Sequence, residues 1–135
     1  MRHGRIIAGS LFAALVAVGG VALPAAGQGD SFAMLSALTK GEWEVRERGG
    51  ATNHICVRTG RELVQLRHKR AGCKRFVVEE GPKTITVQYS CNGNGYGRTS
   101  IRRETSELVQ IDSQGLSGKV PFEFSAEARR IGPCR

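Results

Sequence analysis

The sequence predicts a mainly β protein, either an antiparallel meander or a small barrel-like sheet of about seven or eight strands, with one or two short helices. Short stretches that alternate apolar and polar residues recur along the chain, separated by turn signals such as Gly49–Gly50 and Gly81–Pro82. Helical periodicity is confined to two short stretches. All four cysteines lie after residue 55, which in an exported domain predicts disulfide staples.

The first 27 residues have the plan of a secretory signal peptide. Basic MRHGR precedes an apolar run at 6–23, and small residues follow at 25–27. An uncleaved membrane anchor is the alternative, since the apolar run approaches spanning length. We therefore expect a signal peptide at 1–27, a linker with a short helix at 28–40, and one β-rich domain at 41–135. The remainder has no second long apolar run, so the mature form is not expected to span a membrane.

The charge of the chain favours anionic partners. Its 20 basic and 12 acidic residues give a net charge of +8, and two of the basic residues, Arg2 and Arg5, belong to the signal segment. The mature chain thus keeps a net charge of about +6. For an exported protein this favours anionic lipid, lipopolysaccharide or another envelope component over nucleic acid. A basic excess that merely aids solubility is the alternative.

Residues 30–41 predict a short amphipathic helix with Asp30 or Ser31 as its cap. Its apolar face carries Phe32, Leu35 and Leu38. The stretches 41–48 and 51–58 then predict a hairpin around Gly49–Gly50.

A second helix is predicted at 59–72. Thr59 and Glu62 have capping-box spacing, and Gly72 can end the helix. Basic residues in its last turn would complement the helix dipole or bind an anion. The anion-binding candidates on this helix and just after it are Arg61, Arg67, Lys69, Arg70, Lys74 and Arg75.

The next hairpin decides the predicted disulfides. A two-residue loop at Gly81–Pro82 sets Phe76 opposite Val87, which puts Cys91 on the buried face and Cys73 on the other. A Cys73–Cys91 bridge is then disfavoured unless a bulge shifts the register. Of the two remaining connectivities we prefer Cys56–Cys73 with Cys91–Cys134.

The glycine run CNGNGYGR at 91–98 predicts a structural bend. A dinucleotide site would need a helix after the glycines, and the following residues lack helical period. An RNA-reading strand would need further aromatic residues nearby. Gly93, Gly95 and Gly97 therefore indicate a sharp passage from one strand to the next.

No catalytic set can be assembled from the sequence. His54 and His68 are the histidines of the mature chain, no C-x-x-C spacing occurs, and no hydrolase or metalloprotease motif is present. We predict no catalytic residue, no metal and no cofactor.

Trp43 is predicted to lie in the core at the start of the first strand. This G-x-W opening, with an arginine on the last strand, resembles lipocalins. That resemblance implies that Arg129 or Arg130 packs over the indole, and we take Arg130 as a structural residue.

A broader resemblance covers nearly the whole mature chain. GEWEV at 41–45, the four ordered cysteines, the glycine run and RRIGPC at 129–134 occur in that order. With the export signal they resemble the small exported bacterial proteins of domain-of-unknown-function family 3617. The resemblance implies a periplasmic or envelope location, a largely β fold and disulfides, and it supplies no catalytic residues.

The leading hypothesis is an exported, non-catalytic module that binds an anionic or amphiphilic envelope component. A protein-interaction or inhibitor-type module using a sheet edge is the second hypothesis. A small hydrolase or metal-dependent enzyme that uses His54 or His68 is the third.

Overall fold

The computed structural model describes residues 32–69 and 72–135. The predicted signal peptide lies outside these residues. The described chain contains a short helix α1, a single 3-10 turn and seven strands. The helix is Ala33–Ser36 and the turn is Arg61–Leu63. The strands are β1 Gly41–Glu47, β2 Thr52–Val57, β3 Cys73–Glu80, β4 Thr84–Cys91, β5 Gly95–Thr105, β6 Leu108–Ser117 and β7 Val120–Gly132. The predicted mainly β fold is confirmed.

The strands form one open antiparallel sheet in the order β2-β1-β7-β6-β5-β4-β3. Strands β3 to β7 follow one another as hairpins, and β1 then pairs with β7. The predicted hairpin around Gly49–Gly50 is β1–β2. β2 and β3 are the two edges of the sheet, and they are not hydrogen-bonded to each other.

One face of the sheet forms the core. In β4 the strict alternation predicted from sequence buries Ile85, Val87, Tyr89 and Cys91. α1 and residues 58–69 lie over this face, and the Thr99 hydroxyl donates to the Val64 carbonyl at 2.6 Å. The opposite face, called the outer face below, carries the polar alternates.

The prediction of a helix at 59–72 is wrong. Glu62 does accept the Thr59 amide at 3.2 Å, so part of the capping box forms, but the chain turns for just three residues. Residues 63–66 are all buried. A helix buries one stripe of its surface, so four consecutive buried residues require an irregular segment enclosed on several sides.

The preferred disulfide pairing is also wrong. The bridges are Cys56–Cys134 and Cys73–Cys91. Two features explain the error. Glu80 pairs with Ile85, so four residues separate the paired ends where two were predicted, and Phe76 lies opposite Gln88 on the outer face. A bulge at Val78 then changes the register, since Val77 pairs with Val87 while Glu79 pairs with Thr86. The extra residue shifts the lower half of β3 by one position, and Cys73 then lies directly opposite Cys91.

The glycine run forms the β4–β5 turn and the start of β5. Gly93 has φ +73° within the turn. At Gly95, with φ +103°, a Cβ would lie 2.0 Å from the carbonyl oxygen of Leu116. A Cβ at Gly97 would lie 2.4 Å from the Tyr89 hydroxyl, because that side chain crosses directly over the glycine. The run forms a turn and contains two positions at which no side chain fits.

Trp43 is fully buried, and its indole Nε1 donates to the Thr39 carbonyl at 3.0 Å. The expected stacking of an arginine on the indole is not found within the described chain. Arg130 is paired with Trp43 in register, yet its Nε donates to the Lys40 carbonyl at 2.8 Å. Gly41 leaves the space that its guanidinium occupies, since a Cβ there would lie 2.6 Å from that Nε. Arg130 is thus structural through a backbone contact.

Candidate functional site

The structure disperses the predicted anion cluster. Arg61 lies over the ring of Phe32, 4.3 Å from its centroid. Lys69 is exposed beside the Cys73–Cys91 bridge, Lys74 points to the outer face of β3, and Arg75 is half-buried on the core side. Arg70 lies outside the described residues. The predicted cluster therefore does not converge on one anion.

Arg67 is already occupied by a carboxylate. Its guanidinium donates to both oxygens of Glu47, at 2.5 and 2.7 Å, and lies 4.1 Å from the ring centroid of Phe124. The hydrogen bonds from Arg67 hold the pKa of Glu47 below its usual value, and the same bonds raise the pKa of Arg67. This pair joins residues 58–69 to β1, and we assign it a structural role.

His68 is buried and fully engaged. Its Nε2 donates to the Asn94 carbonyl at 2.8 Å, and its Nδ1 lies 3.0 Å from the Tyr89 hydroxyl. Because a carbonyl can only accept, Nε2 carries a proton. Burial raises the pKa of Tyr89 to about 12, although the charge of Arg67 opposes this shift. With both ring nitrogens used, His68 fixes the segment over the sheet and has no site left for a substrate.

His54 lies on β2 between two carboxylates. Its ring nitrogens are 3.7 Å from Glu42 and 3.3 Å from Glu44. Hydrogen bonds from His54 and then from Arg46 lower the pKa of Glu44. Across residues 32–69 and 72–135, no group of three or more histidine, cysteine, aspartate or glutamate side chains is placed to hold a metal ion.

Exposed apolar and basic side chains meet at one end of the outer face. Two hairpin turns, β4–β5 and β6–β7, come together there, and the Gly118 amide donates to the Asn94 carbonyl at 2.8 Å. We call this region the distal patch. It consists of Tyr96, Arg98, Leu116 and Pro121, with Lys119 in the adjoining β6–β7 turn. Tyr96 is 49% exposed beside Arg98. Val120 is 68% exposed, but it shares the core-side alternation of Phe122 and Phe124 and so points away from the outer face. Exposure of a large apolar side chain beside a cation is characteristic of an interaction surface.

The register brings the patch residues together across three strands. Tyr96 pairs with Leu116 and Leu116 pairs with Pro121, so these three side chains form one row on the outer face. Arg98 occupies the next row, between Gln88 and Gln114. A cavity of about 670 Å³ opens between the two rows.

The cations of the distal patch have no acidic partner in the described chain. No ion pair links Arg98 or Lys119 to any carboxylate of residues 32–69 and 72–135. Farther along the outer face, by contrast, polar groups satisfy one another. There the Ser125 hydroxyl donates to Asp112 at 2.5 Å, and the hydroxyls of Thr86 and Ser100 lie 2.9 Å apart.

Sequence reasoning missed the distal patch. The alternation of Tyr96 and Arg98 with Gly97 and Thr99 would have placed the first two on the exposed face. Their row with Leu116 and Pro121 depends on the pairing of three strands.

Comparisons with known proteins give no further support for a function. No protein-family model, curated protein or solved structure matches this chain. The resemblance to domain-of-unknown-function family 3617 therefore stays a prediction. In the two described ranges, no helix is both long enough and apolar enough to cross a membrane.

Proposed function

We propose that this protein is an exported, non-catalytic module of the periplasm or cell envelope that binds anionic phospholipid surfaces through the distal patch. One observation carries the proposal: Tyr96 exposes apolar surface in a row with Leu116 and Pro121, beside Arg98, which forms no ion pair with a carboxylate of the described chain. The surface of an anionic membrane offers charged headgroups and apolar acyl chains side by side.

The chemistry of each part of the patch fits a membrane interface. A tyrosine ring is apolar with a polar tip, and it is favoured at the depth of the headgroups. Leu116 and Pro121 continue the apolar row of Tyr96, while Arg98 and the turn residue Lys119 meet phosphate groups. The cavity beside Arg98 has room for a headgroup. The net positive charge of the whole chain adds a long-range attraction.

Export rests on two kinds of support. Residues 1–27 have the order of a signal peptide, and both disulfides of the described chain belong to an oxidising compartment. The full-length chain, produced in a Gram-negative host, should appear in the osmotic-shock fraction with about 27 residues removed. Intact mass spectrometry measures this. An uncleaved chain retained in the membrane fraction would support the anchor alternative instead.

Vesicle co-sedimentation tests the binding proposal. We expect association with phosphatidylglycerol vesicles at low salt, weaker association at raised salt, and little association with phosphatidylcholine vesicles. Arg98→Ser and Lys119→Ser should each weaken binding about fivefold, from the loss of about 1 kcal/mol per basic residue. Tyr96→Ser should weaken binding without changing its salt dependence.

Lys83→Ser is the matched control. Lys83 is exposed in the β3–β4 turn, at the opposite end of the sheet, and its substitution removes the same charge. Binding that Lys83→Ser weakens as much as Arg98→Ser would show a diffuse charge effect and contradict the patch. Binding to lipopolysaccharide with no binding to phosphatidylglycerol would replace the proposed ligand with the glycolipid.

A further inference from the structure

Strand β3 is an edge of the sheet, with no second strand partner in the described part of the chain. It pairs with β4 on one side, and none of its eight residues is buried. Phe76 is 66% exposed and Val78 is 40% exposed. An exposed edge of this length is a template for another strand unless charge or shape opposes pairing.

The disulfide shows which backbone groups face that edge. Directly opposed residues of an antiparallel pair lie about 5.5 Å apart when hydrogen-bonded and about 4.5 Å apart when not. The Cα atoms of Cys73 and Cys91 are 4.1 Å apart, which indicates a non-hydrogen-bonded pair. By alternation along β3, Arg75 and Val77 also direct their amide and carbonyl groups away from β4. No backbone partner for them occurs within residues 32–69 and 72–135.

The charge order along β3 is self-complementary. The strand reads CKRFVVEE, with Lys74 and Arg75 before an apolar centre and Glu79 and Glu80 after it. A second copy running antiparallel brings the basic half of each strand against the acidic half of the other. The other edge, β2, reads TNHICV and has no such order. Opposite charges across strands stabilise pairing, and like charges oppose it.

We propose that β3 pairs with β3 of a second copy of this chain, about a two-fold axis at Phe76. In that register Arg75 and Val77 exchange backbone hydrogen bonds with Val77 and Arg75 of the second copy. Phe76 then faces Phe76 of the second copy on the outer face. The extra residue Val78 stays bulged, and Lys74 lies opposite Glu79 of the second copy.

The bulge selects this register over one centred on Val77. Centring on Val77 would set Arg75 opposite Glu79, whose place opposite Thr86 turns its backbone groups toward β4. Such a pair could not complete its hydrogen bonds. The chosen axis runs perpendicular to the sheet, so the outer faces of both copies point the same way. The inference stands on the edge itself and does not depend on lipid binding.

Sedimentation velocity across concentrations from roughly 1 µM to 1 mM tests the dimer, a range suited to a small interface. We expect a concentration-dependent monomer–dimer equilibrium. Lys74→Glu and Glu79→Lys should each raise the dimer dissociation constant about tenfold or more, because each places like charges opposite one another twice per dimer. The double variant Lys74→Glu/Glu79→Lys should restore dimerisation, since the opposed charges are again of opposite sign.

Lys83→Glu is the control for Lys74→Glu. It makes the same change in net charge but lies in the β3–β4 turn, outside the proposed interface. Amide hydrogen exchange supplies a second readout, in which Arg75 and Val77 gain protection as concentration rises and Phe76 does not. A monomer at every concentration would overturn the proposal. A dimer that the double variant fails to restore, or protection that appears on β2, would overturn the β3 register.

Discussion

Arg67 donates two hydrogen bonds to the carboxylate of Glu47, from a position 20 residues later in the chain. The same guanidinium lies over the ring of Phe124 on β7. One side chain therefore joins the irregular segment 58–69 to two strands of the sheet. Truncating it removes the charged hydrogen bonds and a packing contact together.

Arg67→Ala should lower the free energy of unfolding by about 2 kcal/mol, the usual contribution of hydrogen bonds between charged groups. Arg67→Lys should recover part of this loss, because lysine keeps the charge but cannot form the two-pronged contact. Urea denaturation measures both. Equal losses in Arg67→Lys and Arg67→Ala would contradict the partial recovery, and an unchanged Arg67→Ala would contradict the structural role.

The Glu47 carboxylate should make part of the stability depend on acid. Its pKa in the folded protein lies below that of the unfolded chain, near 4.3, because Arg67 donates hydrogen bonds to it. The stabilisation is complete above the unfolded pKa and is lost as the pH falls through the folded pKa. Glu47→Gln should therefore flatten the acid limb of stability below about pH 4.5, measured by urea titrations. An acid limb as steep as that of the unmodified protein would contradict this assignment.

Tyr89 should make part of the free energy of unfolding depend on pH in the alkaline range, where stability falls as the pH rises. Burial raises its pKa to about 12, whereas the unfolded side chain titrates near 10. The contribution is complete below pH 10, and it is lost as the pH rises from about 10 toward 12. Tyr89→Phe should give a flatter stability curve over this interval. An equally steep decline of stability in Tyr89→Phe would contradict this assignment.

The two disulfides should differ in their contribution to stability. Cys56–Cys134 closes a separation of 78 residues and Cys73–Cys91 closes one of 18. Loop-closure entropy then predicts losses of about 4.5 and about 3 kcal/mol for the paired serine variants. Non-reducing peptide mapping checks the pairing itself. A peptide containing Cys56 bridged to Cys73 would contradict the observed connectivity.

Gly95→Val should prevent correct folding and oxidation. The backbone at Gly95 has φ +103°, and an added Cβ would meet the Leu116 carbonyl oxygen at 2.0 Å. Gly93→Asn is the control, because asparagine tolerates the left-handed conformation and nothing lies within 4 Å of the added Cβ. Free-thiol titration after purification distinguishes the two variants. A fully oxidised and folded Gly95→Val protein would contradict the steric argument.

Local patterns in the sequence predicted the structure correctly where the spacing of apolar residues was sufficient to define an element. The alternation of Ile85, Val87 and Tyr89 predicted a strand with one buried face, and the structure confirms it. The helix at 59–72 failed although Thr59 and Glu62 have the right spacing, because burial of 63–66 on several sides overrides a capping signal. Nothing local to that stretch reveals that it will be enclosed.

The sequence by itself determined the mainly β fold, the β1–β2 hairpin around Gly49–Gly50 and the buried side of strands such as β4. These follow from residue-by-residue alternation and from where glycine must adopt positive φ. The tertiary structure alone decided the disulfide pairing, the partner of Arg67 and the assembly of the distal patch. The disulfide pairing and the patch depend on register between strands: the four-residue β3–β4 connection and the bulge at Val78 together place Cys73 opposite Cys91. The Arg67 contact depends on where segment 58–69 lies over the sheet. A one-residue shift reverses which side chains face each other, and it depends on packing of the whole hairpin.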